Sequence, residues 1–191
     1  MNIERDLFLT QQILSTLFSV TNKLQLQGNK YLQDLTLRQM LAIPAIIHAP
    51  GEKATINHIA RSLGTSKQSA KQIVDVMEKK KYLIVTQSKN DKRAVNITIT
   101  PEGKQAFAFC SNRTDEFLAD IFHDFATRDL ETLWTLIKKL YQFDGVPQDG
   151  LGQHPDYSAS RPDEILKHHQ GFAKKRLNKA VSKCTDRAKN G

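Results

Sequence analysis

The segment from Thr55 to Gly103 constrains the fold of this chain more than any other part of its sequence. Two short stretches with helically spaced apolar residues are separated there by Gly64, which favours a tight turn. Two runs rich in β-branched residues follow, Tyr82–Ser88 and Ala94–Thr100, with a charged loop between them. This order predicts a helix-turn-helix followed by a β-hairpin, which is the arrangement of a winged helix.

The segments on either side of this unit are predicted to be helical. Apolar residues recur at helical spacing from Ile3 to about Gln27, and Gly28-Asn29 is predicted to end that helix as a C-cap pair. Thr36 is a suitable N-cap for a second helix, in which Pro44 predicts a kink or an early break. Thr100 with Pro101 predicts a further helix to about Phe125, and an apolar helix follows. The predicted fold class is therefore mainly α with a small antiparallel β-hairpin.

The charge of the chain favours a polyanionic partner. Lys and Arg number 28 against 20 Asp and Glu, which gives a net charge of +8. Between Gly64 and Arg93 there are eight basic and three acidic residues, a net charge of +5. Most of the excess positive charge thus lies on the second helix of the predicted helix-turn-helix and on the hairpin loop, which predicts a nucleic-acid-binding surface.

An α-helix fits the major groove of duplex DNA and presents its N-terminal residues to the base edges. The helix residues predicted to contact DNA are Thr65, Ser66, Lys67, Gln68, Ser69, Lys71 and Gln72. The hairpin residues predicted to contact the backbone or minor groove are Lys89, Asn90, Lys92 and Arg93. Asp91 lies two residues before Arg93, so it is predicted to shape the wing by pairing with that guanidinium.

These motifs resemble the MarR family of bacterial winged helix-turn-helix regulators. The resemblance rests on Leu37-Arg38-Gln39, on Ile59 to Ser69, and on Asp91-Lys92-Arg93 followed by Ile99 to Gly103. It covers about Ile3 to Phe143 and implies a homodimer that binds pseudo-palindromic DNA, usually as a repressor. It also implies that the face matching 66–72 reads bases and that Arg93 reaches the minor groove.

The resemblance also implies how the chain is divided. The expected units are 1–34 (N-terminal dimerisation helix), 35–103 (winged helix-turn-helix DNA-binding domain), 104–143 (C-terminal dimerisation helices), 144–163 (linker) and 164–191 (basic, partly helical extension). Lys81 departs from the family pattern. Relatives usually have glycine between the wing and the second helix of the helix-turn-helix, which is called the recognition helix because it contacts the bases. A lysine there must adopt a left-handed conformation, or the helix must end differently. The resemblance does not cover the extension, which is interpreted either as a flexible solubilising segment or as a helix that docks on the protein or on DNA backbone.

Other function classes receive less support from the sequence. It contains no phosphate-binding glycine loop, nucleophile elbow or metal-ligand spacing, so neither an enzymatic activity nor a cofactor is expected. The alternative that stays open is a winged-helix protein-interaction module that does not bind DNA. No apolar run approaches the roughly 20 residues that span a bilayer, and the polar N-terminus is unlike a signal peptide, so a cytoplasmic location without membrane contact is expected.

The resemblance leaves regulation by a small molecule open. Relatives often bind phenolic or lipophilic molecules, so a small-molecule effector is possible, but the sequence does not indicate its chemical class. Cys110 follows aromatic residues on an apolar helix and is expected to be a packed, inert thiol. Cys184 lies near Lys179, Lys183 and Arg187, which would lower its pKa, so redox activity there is a hypothesis.

Overall fold

The structure, a computed structural model, describes residues 2–49, 54–87, 95–146 and 170–176. These residues are mainly helical, with one two-stranded antiparallel hairpin, so the predicted fold class is confirmed. The elements are α1 (Ile3–Tyr31), α2 (Leu37–Ile47), α3 (Ile56–Ser62), α4 (Lys67–Lys79), β1 (Leu83–Gln87), β2 (Val95–Ile99), α5 (Pro101–Ile121) and α6 (Thr127–Tyr141). A short 3₁₀ turn, Gln142–Asp144, follows α6, and residues 170–176 are helical.

One hydrophobic core holds the winged helix together. Its largest fully buried side chains are Ile43, Ile59, Val74, Met77, Leu83, Ile97 and Cys110. They come from α2, α3, α4, both strands and α5, so a single packed cluster fixes the position of α4 relative to the hairpin. Burying an aliphatic side chain of this size contributes about 1.5–3 kcal/mol. The burial of Cys110 confirms the expectation of a packed thiol.

The helix starts predicted at Thr36 and Thr100 are confirmed, and Thr55 begins α3 in the same way. Each threonine side chain accepts a hydrogen bond from the backbone amide three residues further on. At Thr36 the bond is reciprocal, because the Gln39 side chain accepts from the Thr36 amide at 2.9 Å. Each cap of this kind contributes about 1 kcal/mol, and together they fix where the helices of the core begin.

The predicted end of α1 at Gly28-Asn29 is wrong. The helix continues to Tyr31, and Gly28 is a buried position where α1 approaches its neighbours closely. A β-carbon there would lie 2.9 Å from Leu37 Cδ2 and 3.2 Å from Phe117 Cε1. The Asn29 side chain serves α2 instead, because its Oδ1 accepts from the Leu37 amide at 2.8 Å. The Gly-Asn pair therefore joins α1 to α2 without ending α1.

The early break predicted at Pro44 does not occur, because α2 remains helical to Ile47. The proline lies in the last turn, so few residues follow the lost hydrogen bond, and the His48 amide donates to the Pro44 carbonyl at 2.9 Å. Ile43 and Ile46 on either side of it are buried in the core. Tertiary packing thus outweighs the local preference of proline.

The hairpin pairs Leu83 with Ile99 at its base and Gln87 with Val95 towards its tip. Ala54 adds a single bridge, in which the Ile97 amide donates to its carbonyl at 2.9 Å. Ile97 is therefore paired on both sides and fully buried. The base of the wing is fixed to the core on both edges of β2.

A polar contact joins the C-terminal ends of α1 and α5. The Tyr31 hydroxyl donates to Asp120 Oδ2, and the Tyr31 ring packs against Phe117 with centroids 5.3 Å apart. The hydrogen bond to the carboxylate, together with burial, raises the pKa of Tyr31 to about 12. His123 Nδ1 lies 2.6 Å from the Asp120 carbonyl oxygen, so the last turn of α5 is tied from two directions.

Candidate nucleic-acid interface

The turn between α3 and α4 depends on a left-handed glycine. Gly64 has φ +57, and its amide donates to the Arg61 carbonyl at 3.1 Å while the Thr65 amide donates to the Ala60 carbonyl at 2.9 Å. Residues with a β-carbon rarely adopt this conformation, so glycine makes the tight turn possible. The predicted helix-turn-helix is therefore present.

Ser66 is the N-cap of α4. Its Oγ accepts from the Ser69 amide at 3.1 Å and donates to Ser69 Oγ at 3.0 Å. Both serines, predicted to contact DNA, thus also fix the start of the helix. Thr65 is half-buried, and its Oγ1 accepts from the Arg38 guanidinium at 3.4 Å.

The two faces of α4 differ sharply in burial. On the inner face Ala70 and Met77 are fully buried and Val74 is 1% exposed. Most of the residues predicted to contact DNA are exposed on the outer face, namely Ser66, Lys67, Gln68, Lys71 and Gln72, and Ser69 is half-buried. The buried stripe prevents α4 from rotating, so this polar and cationic row is held in a fixed direction.

The two lysines on this row are in different electrostatic environments. Lys71 Nζ lies 2.6 Å from Asp75 Oδ2, one helical turn further on, and the side chains are 65% and 43% exposed. The spacing i, i+4 could have predicted this pair from sequence. Among the described residues Lys67 forms no ion pair, so it is the stronger candidate for a phosphate contact.

Arg38 is a candidate that the sequence reasoning missed. It lies in the first turn of α2, is exposed, and reaches across to Thr65 at the start of the recognition helix. The motif Leu37-Arg38-Gln39 indicated the family resemblance but did not indicate a DNA contact. No local signal shows that the N-terminus of α2 lies beside that of α4, because the two residues are 27 positions apart.

The tip of the wing lies outside the described residues. Lys89, Asn90, Lys92 and Arg93, predicted to contact DNA, and Asp91, predicted to shape the loop, belong to it. β1 and β2 are described up to Gln87 and from Val95, so the strands from which the tip extends are in place. The roles of the five tip residues stay predictions.

The junction between α4 and the wing contains the lysine that departs from the family pattern. Lys81 has φ 62, so of the two alternatives the left-handed conformation is the one adopted. Its amide donates to the Glu78 carbonyl at 2.8 Å, and the Tyr82 amide donates to the Met77 carbonyl at 2.9 Å. These two bonds form a Schellman motif, in which glycine is the usual left-handed residue. The turn therefore keeps its geometry despite the lysine.

The C-terminal end of α6 contacts the helix-turn-helix. The Tyr141 hydroxyl lies 3.4 Å from the Arg61 carbonyl oxygen, and a β-carbon at Gly64 would lie 3.5 Å from the same hydroxyl. An open cavity of about 370 Å³ adjoins this contact, and Thr65 and Lys67 are among the residues that line it. The end of α6 thus adjoins the start of α4.

α1 and α6 carry large apolar side chains that the single chain leaves exposed. On α1 these include Leu7, Leu14 and Phe18, which are 58% to 69% exposed. On α6 they are Leu133, Trp134, Leu136, Ile137 and Leu140. α6 has no buried residue at all. Many large apolar side chains left exposed on a helix mark a protein-interaction site.

Within the ranges that the structure describes, no group of three or more His, Cys, Asp or Glu side chains could hold a metal ion. No helix in those ranges has the length and apolar character needed to cross a membrane. Cys184 lies outside them, so its redox role stays a hypothesis.

The comparisons with known proteins agree on one family. Residues 33–94 match the sequence model of the MarR family. This stretch contains α2, α3, α4, β1 and the wing loop. No curated protein matches the chain.

Solved structures of MarR-family regulators share the fold. MepR of S. aureus, solved in complex with DNA, is 19% identical, covers 67% of this chain with 96% of its own length, and gives a TM-score of 0.60. A MarR variant from E. coli with operator DNA is 20% identical, with coverages of 68% and 93% and a TM-score of 0.61. BpsR of Bordetella bronchiseptica, whose DNA binding is regulated by 6-hydroxynicotinic acid, is 15% identical, with coverages of 68% and 98% and a TM-score of 0.60. At these identities the likeness concerns the fold.

Proposed function

We propose that this chain, whose residues 33–94 belong to the MarR family, is a sequence-specific DNA-binding transcriptional regulator that acts as a homodimer. One observation supports this function above the others. The outer face of α4 presents Lys67, Gln68, Lys71 and Gln72 to solvent, while Val74 and Met77 hold its inner face in the core. A fixed helix with short polar and cationic side chains at its N-terminal end is suited to major-groove recognition.

The recognition helix and the wing have separate roles in this proposal. Thr65, Ser66, Gln68, Ser69 and Gln72 carry the hydrogen-bonding groups for base edges. Lys67 and Lys71 contact phosphates, and Arg38 adds a phosphate contact beside Thr65. From the wing, Lys89, Asn90, Lys92 and Arg93 reach the flanking backbone or minor groove, and Asp91 orients Arg93.

The exposed apolar surface of α1 and α6 is the proposed dimer interface. Covering it with a second copy removes the side chains of Phe18, Trp134 and Leu136 from water, which is favourable at roughly 25 cal/mol per Å². A two-fold dimer would place the two α4 helices in successive major grooves, about 34 Å apart on one side of the duplex. A pseudo-palindromic operator follows from that symmetry.

Regulation would act on the spacing between the two recognition helices. The contact of Tyr141 with the turn at Gly64 supports this, because it joins α6 of the proposed interface to the start of α4. An effector that favours one dimer arrangement would shift DNA affinity only by its differential affinity for the two arrangements. BpsR is regulated by 6-hydroxynicotinic acid, and we propose a small-molecule effector here as well, of a class that stays open. We propose a repressor in the cytoplasm, with no enzymatic activity.

The test is duplex binding measured at several salt concentrations for the full chain and for three lysine or arginine variants. Each lost phosphate contact reduces the slope of log K against log salt by about 0.9. Lys67→Ala and Arg93→Ala are expected to weaken binding, and Lys67→Ala to reduce the slope by about 1.8, because the homodimer loses one phosphate contact in each subunit. Lys104→Ala, which removes the same charge from an exposed position of α5, is the control and should leave the slope unchanged. Little affinity of the unaltered chain at physiological salt would instead favour a protein-interaction module.

A further inference from the structure

The helical residues 170–176, part of the C-terminal extension, lie against α5. Lys175 Nζ is 3.4 Å from Glu116 Oε1 and 3.4 Å from the Asn112 carbonyl oxygen. The Arg176 guanidinium donates to the Phe122 carbonyl at 3.2 Å and to the Phe125 carbonyl at 2.5 Å. These contacts join positions that are 51 to 63 residues apart in sequence.

One of the two carbonyls that Arg176 contacts lies at the end of α5. Phe122 is the C-cap of α5, and Phe125 is in the short connection before α6. The last carbonyls of a helix lack a partner within the helix, and together they carry a partial negative charge. A guanidinium presents several N–H groups in one plane, so a single Arg side chain can reach both the Phe122 carbonyl and the Phe125 carbonyl. Arg176 therefore acts as a side-chain cap for α5.

The charges of the two surfaces are complementary. From Arg113 to Asp124, α5 and its cap contain four acids, Asp115, Glu116, Asp120 and Asp124, against the single basic residue Arg113. Residues 170–176 contain Lys174, Lys175 and Arg176 and no acid. The guanidinium is further oriented by the Phe172 ring, since Arg176 Cζ lies 5.9 Å from its centroid. The segment thus has the sign of charge and the geometry that the end of α5 requires.

We infer that residues 170–176, within the basic C-terminal extension, form a clasp that holds the C-terminal end of α5 and its connection to α6. Arg176 and Lys175 fix the C-terminal half of α5, and with it the direction in which α6 leaves. The C-terminal end of α5 is also held by α1, because the Tyr31 hydroxyl donates to Asp120. The two cations are engaged by protein carbonyls and a carboxylate, so this part of the extension is not an arm that contacts DNA phosphates. The role concerns the helical region and does not depend on DNA binding.

The first experiment compares the thermal stability of Arg176→Ala and Lys174→Ala in the full chain. Both substitutions remove one positive charge from the segment, but Lys174 is exposed and only Arg176 caps α5. Arg176→Ala is expected to lower Tm by about 2–4 °C, the shift typical of one lost charge-assisted contact in a chain of this size. Lys174→Ala should change it by less than about 1 °C. Equal Tm values for the two variants would overturn the clasp.

A charge exchange tests the second contact. Glu116 also pairs with Arg113 at 3.2 Å, so the exchange is made in an Arg113→Ala background. There Lys175→Glu should lower Tm, and adding Glu116→Lys to it should recover at least half of the loss, because the pair is restored with opposite signs. Hydrogen exchange gives a local readout of the same state. Arg176→Ala should speed exchange of the amides in 118–125 several-fold and leave those in α3 unchanged. No recovery and no local change in exchange would both contradict docking.

The salt dependence of duplex binding separates the clasp from a DNA arm. If the clasp is correct, Lys175→Ala and Arg176→Ala leave the slope of log K against log salt unchanged. A slope that falls by about 0.9 for each removed cation would show that the extension contacts phosphates, and would overturn the proposal. If the chain binds no duplex at all, the regulator proposal fails, and the Tm and exchange comparisons still decide whether the clasp exists.

Discussion

Gly103 lies directly against the backbone carbonyl of Tyr82, so close that a β-carbon on Gly103 would be 2.2 Å from the carbonyl oxygen. The first turn of α5 therefore packs on the residue that leads from the recognition helix into the wing. Thr100 completes the contact, because its amide donates to the same carbonyl at 3.0 Å. The position of the wing relative to α4 depends on this close approach.

Gly103→Ala is expected to destabilise the fold by about 1–3 kcal/mol, because a backbone carbonyl cannot move aside as a side chain can. Gly28→Ala is the matched control. Its β-carbon would meet the end of the Leu37 side chain at 2.9 Å, and alanine favours a helix interior by about 1 kcal/mol over glycine. Urea unfolding should therefore show a clearly larger loss for Gly103→Ala. Similar losses for the two variants would contradict the close packing at Tyr82.

Lys81→Gly is expected to stabilise the fold by about 1 kcal/mol. Lys81 has φ 62, a conformation that costs a residue with a β-carbon roughly 1–2 kcal/mol. Glycine avoids this cost, but part of the gain in stability is lost because glycine has more conformational freedom in the unfolded chain. Lys79→Gly removes the same charge two residues earlier, within α4, and should destabilise by up to about 1 kcal/mol. Urea unfolding of both variants measures the opposite signs. A loss of stability in Lys81→Gly would show that the lysine side chain contributes more than its conformation costs.

Tyr31→Phe should reduce stability at neutral pH by about 1–2 kcal/mol, because it leaves Asp120 without the hydroxyl while keeping the ring on Phe117. The folded chain raises the pKa of Tyr31 from 10.0 to about 12. The hydroxyl therefore stabilises the fold fully below pH 10 and loses that contribution as the pH rises to about 12.

The measurement is the unfolding free energy between pH 8 and roughly 12, with tyrosinate absorbance as a second readout. The unaltered chain should lose stability more steeply above pH 10 than Tyr31→Phe does, and the variant should lack the titration near 12. Parallel stability curves for the two proteins would mean that Tyr31 and Asp120 do not interact in solution.

The core of the winged helix could be predicted from sequence because its signals are local. Thr36, Thr55 and Thr100 each precede an apolar helical pattern, and Gly64 separates the two short helices. For Lys81 the sequence narrowed the outcome to two alternatives, a left-handed lysine or a different helix end, and the structure shows the first. In these places the local preference and the tertiary structure agree.

The remaining features depend on contacts between distant residues. Gly28 has the same local appearance as a C-cap glycine, and only the approach of Leu37 and Phe117 explains why it is helical. Pro44 is tolerated because Ile43 and Ile46 are buried in the core. The sequence around Pro44 does not show how strongly this burial stabilises the helix. Arg38 contacts Thr65, and Arg176 contacts the end of α5. Both contacts join segments that are far apart in sequence, so the sequence alone does not show that they are close in space.

The most direct measurement for the central claim is selection of bound duplexes from a random pool by the full chain, repeated at several salt concentrations. The account predicts a pseudo-palindromic consensus whose half-sites are centred about one helical turn apart, roughly 10–10.5 base pairs. It also predicts that substitution of Gln68 or Gln72 changes the selected bases, while Lys67→Ala weakens binding to all sequences alike. A pool that shows no enrichment, or a consensus without two-fold symmetry, would contradict the placement of two recognition helices on one duplex.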